Sequence, residues 1–128
     1  MSKRVVHTDK APAPFQGAPY SQGIMHGDLV FVAGQVGIDP QTSQVVEGGI
    51  DAQTEQVMKN ISAVLEEAGS SLANVLKASI FLVDFGDFPA MNEVYARFVG
   101  PEFPARATVQ IAGLPSGALV EIEVVAHT

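Results

Sequence analysis

Arg106 stands in Phe103-Pro104-Ala105-Arg106-Ala107-Thr108-Val109, with no acidic residue within three positions on either side. A guanidinium keeps its charge inside a protein, so when partly buried it calls for an anion. Two partners fit. One is the carboxylate of a small substrate, gripped by two parallel N–H···O bonds. The other is an acid from another strand or subunit, held in a structural ion pair. Further along, Val120-Glu121-Ile122-Glu123-Val124 alternates, which puts both glutamates on one face of a strand and the aliphatics on the other. That pattern suits a strand with one solvated face. It also suits a cleft in which one carboxylate holds or deprotonates a water.

Other chemistries find no support. His7, His26 and His127 lie far apart without metal-ligand spacing, so no metal site is expected. Ser21, Ser43, Ser70, Ser71 and Ser116 form no GxSxG elbow. Gly34, Gly37, Gly48 and Gly49 make neither a phosphate-binding loop nor a GxGxxG turn, so no nucleotide cofactor is expected. With no cysteine, disulfides and thiolate catalysis are excluded. A net charge of -7 with only seven Lys and Arg disfavours a nucleic-acid partner, and it obliges an acidic substrate to find a local cation. Phe15 and Tyr20 are candidate pocket walls, with core or interface packing as the alternative.

The elements that position these residues read as follows. Three prolines in the stretch Pro12 to Pro19 make a loop. Strands are expected at 20–25 and 29–33, around the His26-Gly27-Asp28 turn, with a short segment at Val45-Val46. Residues 51–68 form a helix on the recurrence of Val57, Ile61, Val64, Leu65 and Ala68, with Asn60 among its polar positions and Gly69 as a left-handed cap. A strand at 75–83 precedes a helix from Asp87, with Pro89 in its first turn. Strands at 106–112 and 119–127 complete a β-β-β-α-β-α-β-β order: one α+β domain over residues 1–128, with a mixed sheet and two helices on one face. Segments 29–33 and 80–83 look apolar on both faces, and 47% apolar against 16% charged residues leaves surface to cover. A second copy of the chain is the economical cover. The N-terminal stretch lacks a secretory apolar core and nowhere do eighteen apolar residues run together, which suggests a cytoplasmic chain without membrane contact.

Taken together, Pro104-Ala105-Arg106-Ala107-Thr108-Val109, Ala112-Gly113-Leu114-Pro115 and Val120-Glu121-Ile122-Glu123 resemble the C-terminal signature of the RidA (YjgF) family. Ala18-Pro19-Tyr20-Ser21-Gln22, Val32-Ala33-Gly34-Gln35, and Phe88 with Met91-Asn92-Glu93-Val94-Tyr95 extend the resemblance over nearly the whole chain. It implies a chorismate-mutase-like fold, a homotrimer with clefts between subunits, and hydrolysis of 2-imino acids and their 2-aminoacrylate-type enamines to 2-keto acids and ammonia. Residue by residue, it makes Arg106 the carboxylate clamp, Glu121 the holder or activator of water, Gly34 a source of a nearby backbone N–H, and Tyr20 a wall. Thr108 falls where the family often has cysteine and would act through its backbone, and Asn92 is a further substrate-side match. Ala33 departs from the family's frequent serine and removes a hydroxyl. That departure keeps open a non-catalytic module that binds 2-keto acids in the same cleft. Ribonuclease activity, described for some relatives, conflicts with the acidic charge. A chorismate mutase needs more cations than the one arginine evident here.

Overall fold

The computed structural model describes residues 2–128. Strands β1 (Arg4–Val6), β2 (Gly23–His26) and β3 (Leu29–Val36) make an antiparallel meander. A hairpin of β4 (Ile38–Asp39) and β5 (Gln44–Val45) forms a separate two-stranded sheet. Then come α1 (Gly49–Glu67), β6 (Val75–Leu82), α2 (Phe88–Val99), β7 (Ala105–Gln110) and β8 (Val120–His127). The main sheet has the order β1-β2-β3-β8-β6-β7. Its pairs are antiparallel except β6 with β7, whose parallel alignment follows from the crossover through α2. The chain is a single α+β domain with a mixed sheet and two helices on one face, as the pattern of elements predicts.

Period-2 alternation and the helical stripe meet in one core. Val30, Val32, Ile80, Leu82, Val120, Ile122, Val124 and Ala126 point from the sheet toward Val57, Ile61, Val64 and Leu65 of α1 and Met91 and Val99 of α2, and all are buried. Gly69 does adopt the left-handed conformation (φ 82°) just after α1. Asn60 differs from expectation. It is fully buried, donating from Nδ2 to the carbonyls of Val36 (3.2 Å) and Ile38 (2.9 Å) and accepting from Gln56 Nε2 at 2.9 Å. A side chain that looks polar on a helical wheel thus fastens α1 to the backbone leaving β3.

Several boundaries move for physical reasons. β1 is too short to show a period of its own, and its partner β2 supplies the pairing that defines it. β2 starts at Gly23 rather than Tyr20, because Gln22 is turned to hold the proline-rich loop. Its Oε1 accepts from Thr8 N (2.8 Å) and its Nε2 donates to the carbonyls of Thr8, Ala11 and Pro12 at 3.0, 3.2 and 2.8 Å. The third expected strand, around Val45-Val46, belongs to the side hairpin and not to the main sheet. β3 does not stop at Ala33. Val32 pairs with Val124 and Gln35 with Ile122, so Ala33 and Gly34 together face Glu123 alone, a β-bulge that carries the strand on to Val36.

The two-sided burial expected for 29–33 and 80–83 is absent from the single chain. Both helices lie on one face, leaving Leu29 and Phe31 exposed on the other at 38% and 43%.

Candidate active site

Glu121 sits on that open face, opposite Val36 on β3 and Phe81 on β6. It lines a cleft of about 500 Å³ with Ala33, Gly34, Tyr20 and Phe15. The bulge explains why position 34 is glycine. A Cβ there would stand 2.9 Å from Glu121 Cδ and 3.1 Å from Oε1, so the missing side chain is the space the carboxylate occupies. Tyr20 is held by its own hydroxyl, which accepts a hydrogen bond from Phe15 N at 2.7 Å. Glu121 is half-buried. Withdrawal from water raises its pKa, and the neighbouring Glu123 carboxylate raises it further. Such a carboxylate is a stronger base than a solvated one.

Arg106 sits elsewhere. Its register partner on β6 is Ala78, a core-facing residue, which places the guanidinium on the helix side of edge strand β7. There Nη1 donates to Asn92 Oδ1 at 2.7 Å, and the guanidinium carbon lies 5.2 Å from the ring centroid of Tyr95 and 5.5 Å from that of Phe88. Cation–π contact and one neutral acceptor fix its direction without neutralising it. None of the ion pairs among the described residues involves Arg106. The group opens into a hollow of about 340 Å³ that it shares with Asn92, Tyr95, Phe103 and Pro104. Burial pushes the Tyr95 phenol up, and Arg106 pulls it part of the way back, so Tyr95 stays neutral beside its cation. Thr108 follows on the same face as Arg106, its hydroxyl buried without a partner.

The site residues expected from sequence therefore fall into two groups. Tyr20, Ala33, Gly34 and Glu121 share the open-face cleft, while Arg106, Asn92 and Thr108 stand on the helix side of the sheet edge. β8 and β7 are separated by β6, two strand spacings or roughly 10 Å. With the sheet itself between them, Arg106 and Glu121 of one chain do not face each other. Phe88 and Tyr95 are neighbours of Arg106 that the sequence placed only on helix α2. Their i, i+7 spacing puts them on one helical face, and that was the available signal. Among the described residues no group of His, Asp or Glu is placed to hold a metal ion. No helix is long and apolar enough to cross a membrane.

Comparison with known proteins agrees with this architecture. Residues 8–128 match the family model described as endoribonuclease L-PSP. A RutC family protein of Pyrococcus abyssi is 48% identical over 127 residues, 99% of this chain and 98% of that protein. The human 2-iminobutanoate/2-iminopropanoate deaminase is 40% identical over 124 residues, 97% of this chain and 89% of its own. The crystal structure of RidA from the Antarctic bacterium Psychrobacter sp. superposes with a TM-score of 0.93 at 44% identity, covering 98% of this chain and 99% of that one. With the whole arginine-to-glutamate segment inside a match of this length, the chain belongs to the RidA family, the family whose model carries the endoribonuclease L-PSP description.

Proposed function

We propose that the protein is a 2-iminobutanoate/2-iminopropanoate deaminase-type hydrolase, converting small 2-imino acids and their enamine tautomers to 2-keto acids and ammonia in a site completed between copies of the chain. The observation that carries this reading is an arginine oriented by Asn92 and two aromatic rings yet left without an acid. Such a group is built for an anion that arrives from outside. Named relatives with this activity support the same reading.

The chemistry asks little of the protein. A 2-imino acid protonated on nitrogen is already electrophilic at C2, so fixing the carboxylate and presenting one water accounts for most of the work. Arg106 of one copy binds the carboxylate. Glu121 of another takes a proton from water as the hydroxide oxygen adds to C2, and the C=N pair moves onto nitrogen. Glu121 returns that proton to the carbinolamine nitrogen, the hydroxyl gives its own proton to water, and the C–N bond breaks with its pair on nitrogen, so ammonia leaves as the carbonyl forms. A base with a raised pKa holds its proton better near neutrality, which suits it to both the uptake and the return. Tyr20 forms a wall, the Gly34 backbone lies against the carboxylate of Glu121, and Thr108 would act through its main chain.

An oligomer belongs to the same reading, and the family resemblance makes it a homotrimer. Two halves on opposite faces associate head to tail, and a heterologous contact of that kind either closes into a ring or grows without end. Exposed Leu29, Phe31 and Val109 on the open side are apolar surface for that contact. An RNA substrate is disfavoured by a net charge of -7 and by the two glutamates in the cleft.

Ala33, which gives the cleft no hydroxyl, favours a second reading in which 2-keto acids bind without turnover. A coupled assay fed with 2-iminobutanoate or 2-aminoacrylate separates the two. Hydrolysis by the wild type, lost by about 10²-fold or more in Arg106→Ala with an unaltered oligomer, is the expected outcome. Full activity in that variant would sink the clamp.

A further inference from the structure

Two polar side chains interrupt the buried stripe of α1. Gln53 and Asn60 are 5% and 0% exposed. Their i, i+7 spacing puts them on one helical face, roughly 10 Å apart along the axis. Asn60 holds the end of β3, donating to the carbonyls of Val36 and Ile38. Gln53 holds the approach to β8. Its Oε1 accepts from Leu119 N at 2.7 Å, and its Nε2 reaches toward the Gly117 carbonyl at 3.5 Å. Both anchor points bear on Glu121. Val36 is its register partner, and Leu119 precedes it by one residue on the way into the strand, with Val120 between them. Leu119 is also tied to the end of β6, since Val83 N donates to its carbonyl at 3.1 Å. Between the two anchors the helix touches the chain directly. A Cβ at Gly37 would stand 2.9 Å from both Cα and the carbonyl oxygen of Gln53, so the backbone leaving β3 lies against α1 itself.

We propose that Gln53 is a positioning residue for Glu121: through Leu119 it sets where β8 enters the sheet, and so keeps the carboxylate in the recess left by Gly34. Asn60 fixes the facing strand at Val36, and α1 is the gauge between the two. The inference rests on the deaminase reading and deepens it, giving that reaction a residue that never meets the substrate. Gln53 does not line the Glu121 cleft, so its influence passes through backbone alone. Apolar packing could not do this work by itself. Burial of valine, isoleucine and leucine is non-directional and tolerates small slides of a helix over a sheet. A buried amide does not, because leaving its partner unpaired costs the desolvation of that group. The recess is narrow enough for the setting to matter, since Glu121 Cδ lies 2.9 Å from where a Cβ of Gly34 would be.

Gln53→Met keeps an unbranched side chain and removes the acceptor. With 2-iminobutanoate its kcat should fall by about 10²-fold. KM should hardly move, because the carboxylate grip belongs to Arg106 of another copy. Carbon-13 NMR titration of labelled glutamates should show the Glu121 carboxyl shifting down toward the ordinary glutamate range as it leaves its recess for water. Leu119→Pro removes the same hydrogen bond from the donor end and should have the same two effects. Ala118 already has the extended backbone (φ -64°, ψ 139°) that a following proline requires. This variant decides the matter if Gln53→Met fails to fold. Leu65→Ala, in the buried stripe at the far end of α1, controls for stability. It should melt at least as low as Gln53→Met with kcat unchanged. Wild-type kcat in Gln53→Met with an unmoved Glu121 titration overturns the positioning role, as does an equal loss of kcat in Leu65→Ala. If the wild type hydrolyses no imine, a Glu121 titration that moves with Gln53 removes the deaminase reading and keeps the positioning. Imine hydrolysis indifferent to Gln53 does the reverse.

Discussion

A Cβ added at Gly34 would stand 2.9 Å from Glu121 Cδ. Since the atoms in the way are the far end of a flexible side chain, Gly34→Ala should fold with little change in melting temperature. The carboxylate, however, must swing aside. A misplacement of about 1 Å can cost on the order of 10² in rate, so kcat should fall by about that factor while thermal unfolding barely moves. In the proposed reaction Glu121 also governs the pH dependence. Its activity as a base is lost when it protonates, and its pKa lies above that of an ordinary glutamate because of burial first and Glu123 second. The acid limb of kcat/KM should therefore sit above the usual glutamate range. Glu123→Gln should move it downward but not all the way, since burial remains. For stability the sign reverses. A raised folded-state pKa favours the fold below the unfolded value, and that benefit is lost as pH rises through the folded one. At neutral pH Glu121→Gln should then melt slightly higher while losing about 10²–10⁴ of its activity. At this scale the sequence was informative about residue types: an arginine without acids nearby and a glutamate in an alternating strand. For Phe88 and Tyr95 it offered only a shared face of α2, because which side chain an aromatic ring stacks against is a fact of tertiary packing.

Among the elements, periodicity located α1, β6, α2 and β8 to within a few residues, since each buries a continuous stripe, whereas β7, exposed along nearly its whole length, was bounded by Pro104 and the Gly113 turn. It failed where polar side chains serve the backbone. Asn60 and Gln22 look solvated on a pattern and are buried hydrogen-bonding hubs in space. β1 was invisible for a related reason, as three residues carry no period. Gln22→Ala would strip four hydrogen bonds from the loop of residues 8–12 and leave buried carbonyls and an N–H unpaired. A loss of about 2 kcal/mol is expected, with faster amide exchange confined to that loop and β2. By contrast, Ile61→Ala in the fully buried stripe of α1 should cost about 2–5 kcal/mol and loosen the whole sheet-facing core. Denaturant unfolding distinguishes the two. If exchange after Gln22→Ala rises equally across β6 and β8, the clamp is not local.

For the whole molecule, the separation of Arg106 from Glu121 makes a demand that no single-chain enzyme would make. Arg106→Ala and Glu121→Gln should each be inactive alone. Unfolded together and refolded as a mixture, they should regain activity, because a mixed ring joins an intact arginine to an intact glutamate. For random closed trimers at equal amounts, about a quarter of wild-type activity is expected. No recovery, with mixed oligomers shown to form, would place both groups of a working site in one chain. The distribution of the residues over two faces of one sheet has a last consequence. On the proposed reading a solitary copy, however well folded, holds only fragments of a catalyst. Dilution should therefore silence the protein before it unfolds it, with output per chain falling as assemblies come apart and circular dichroism unchanged. Abundance itself would then set whether the chemistry is switched on.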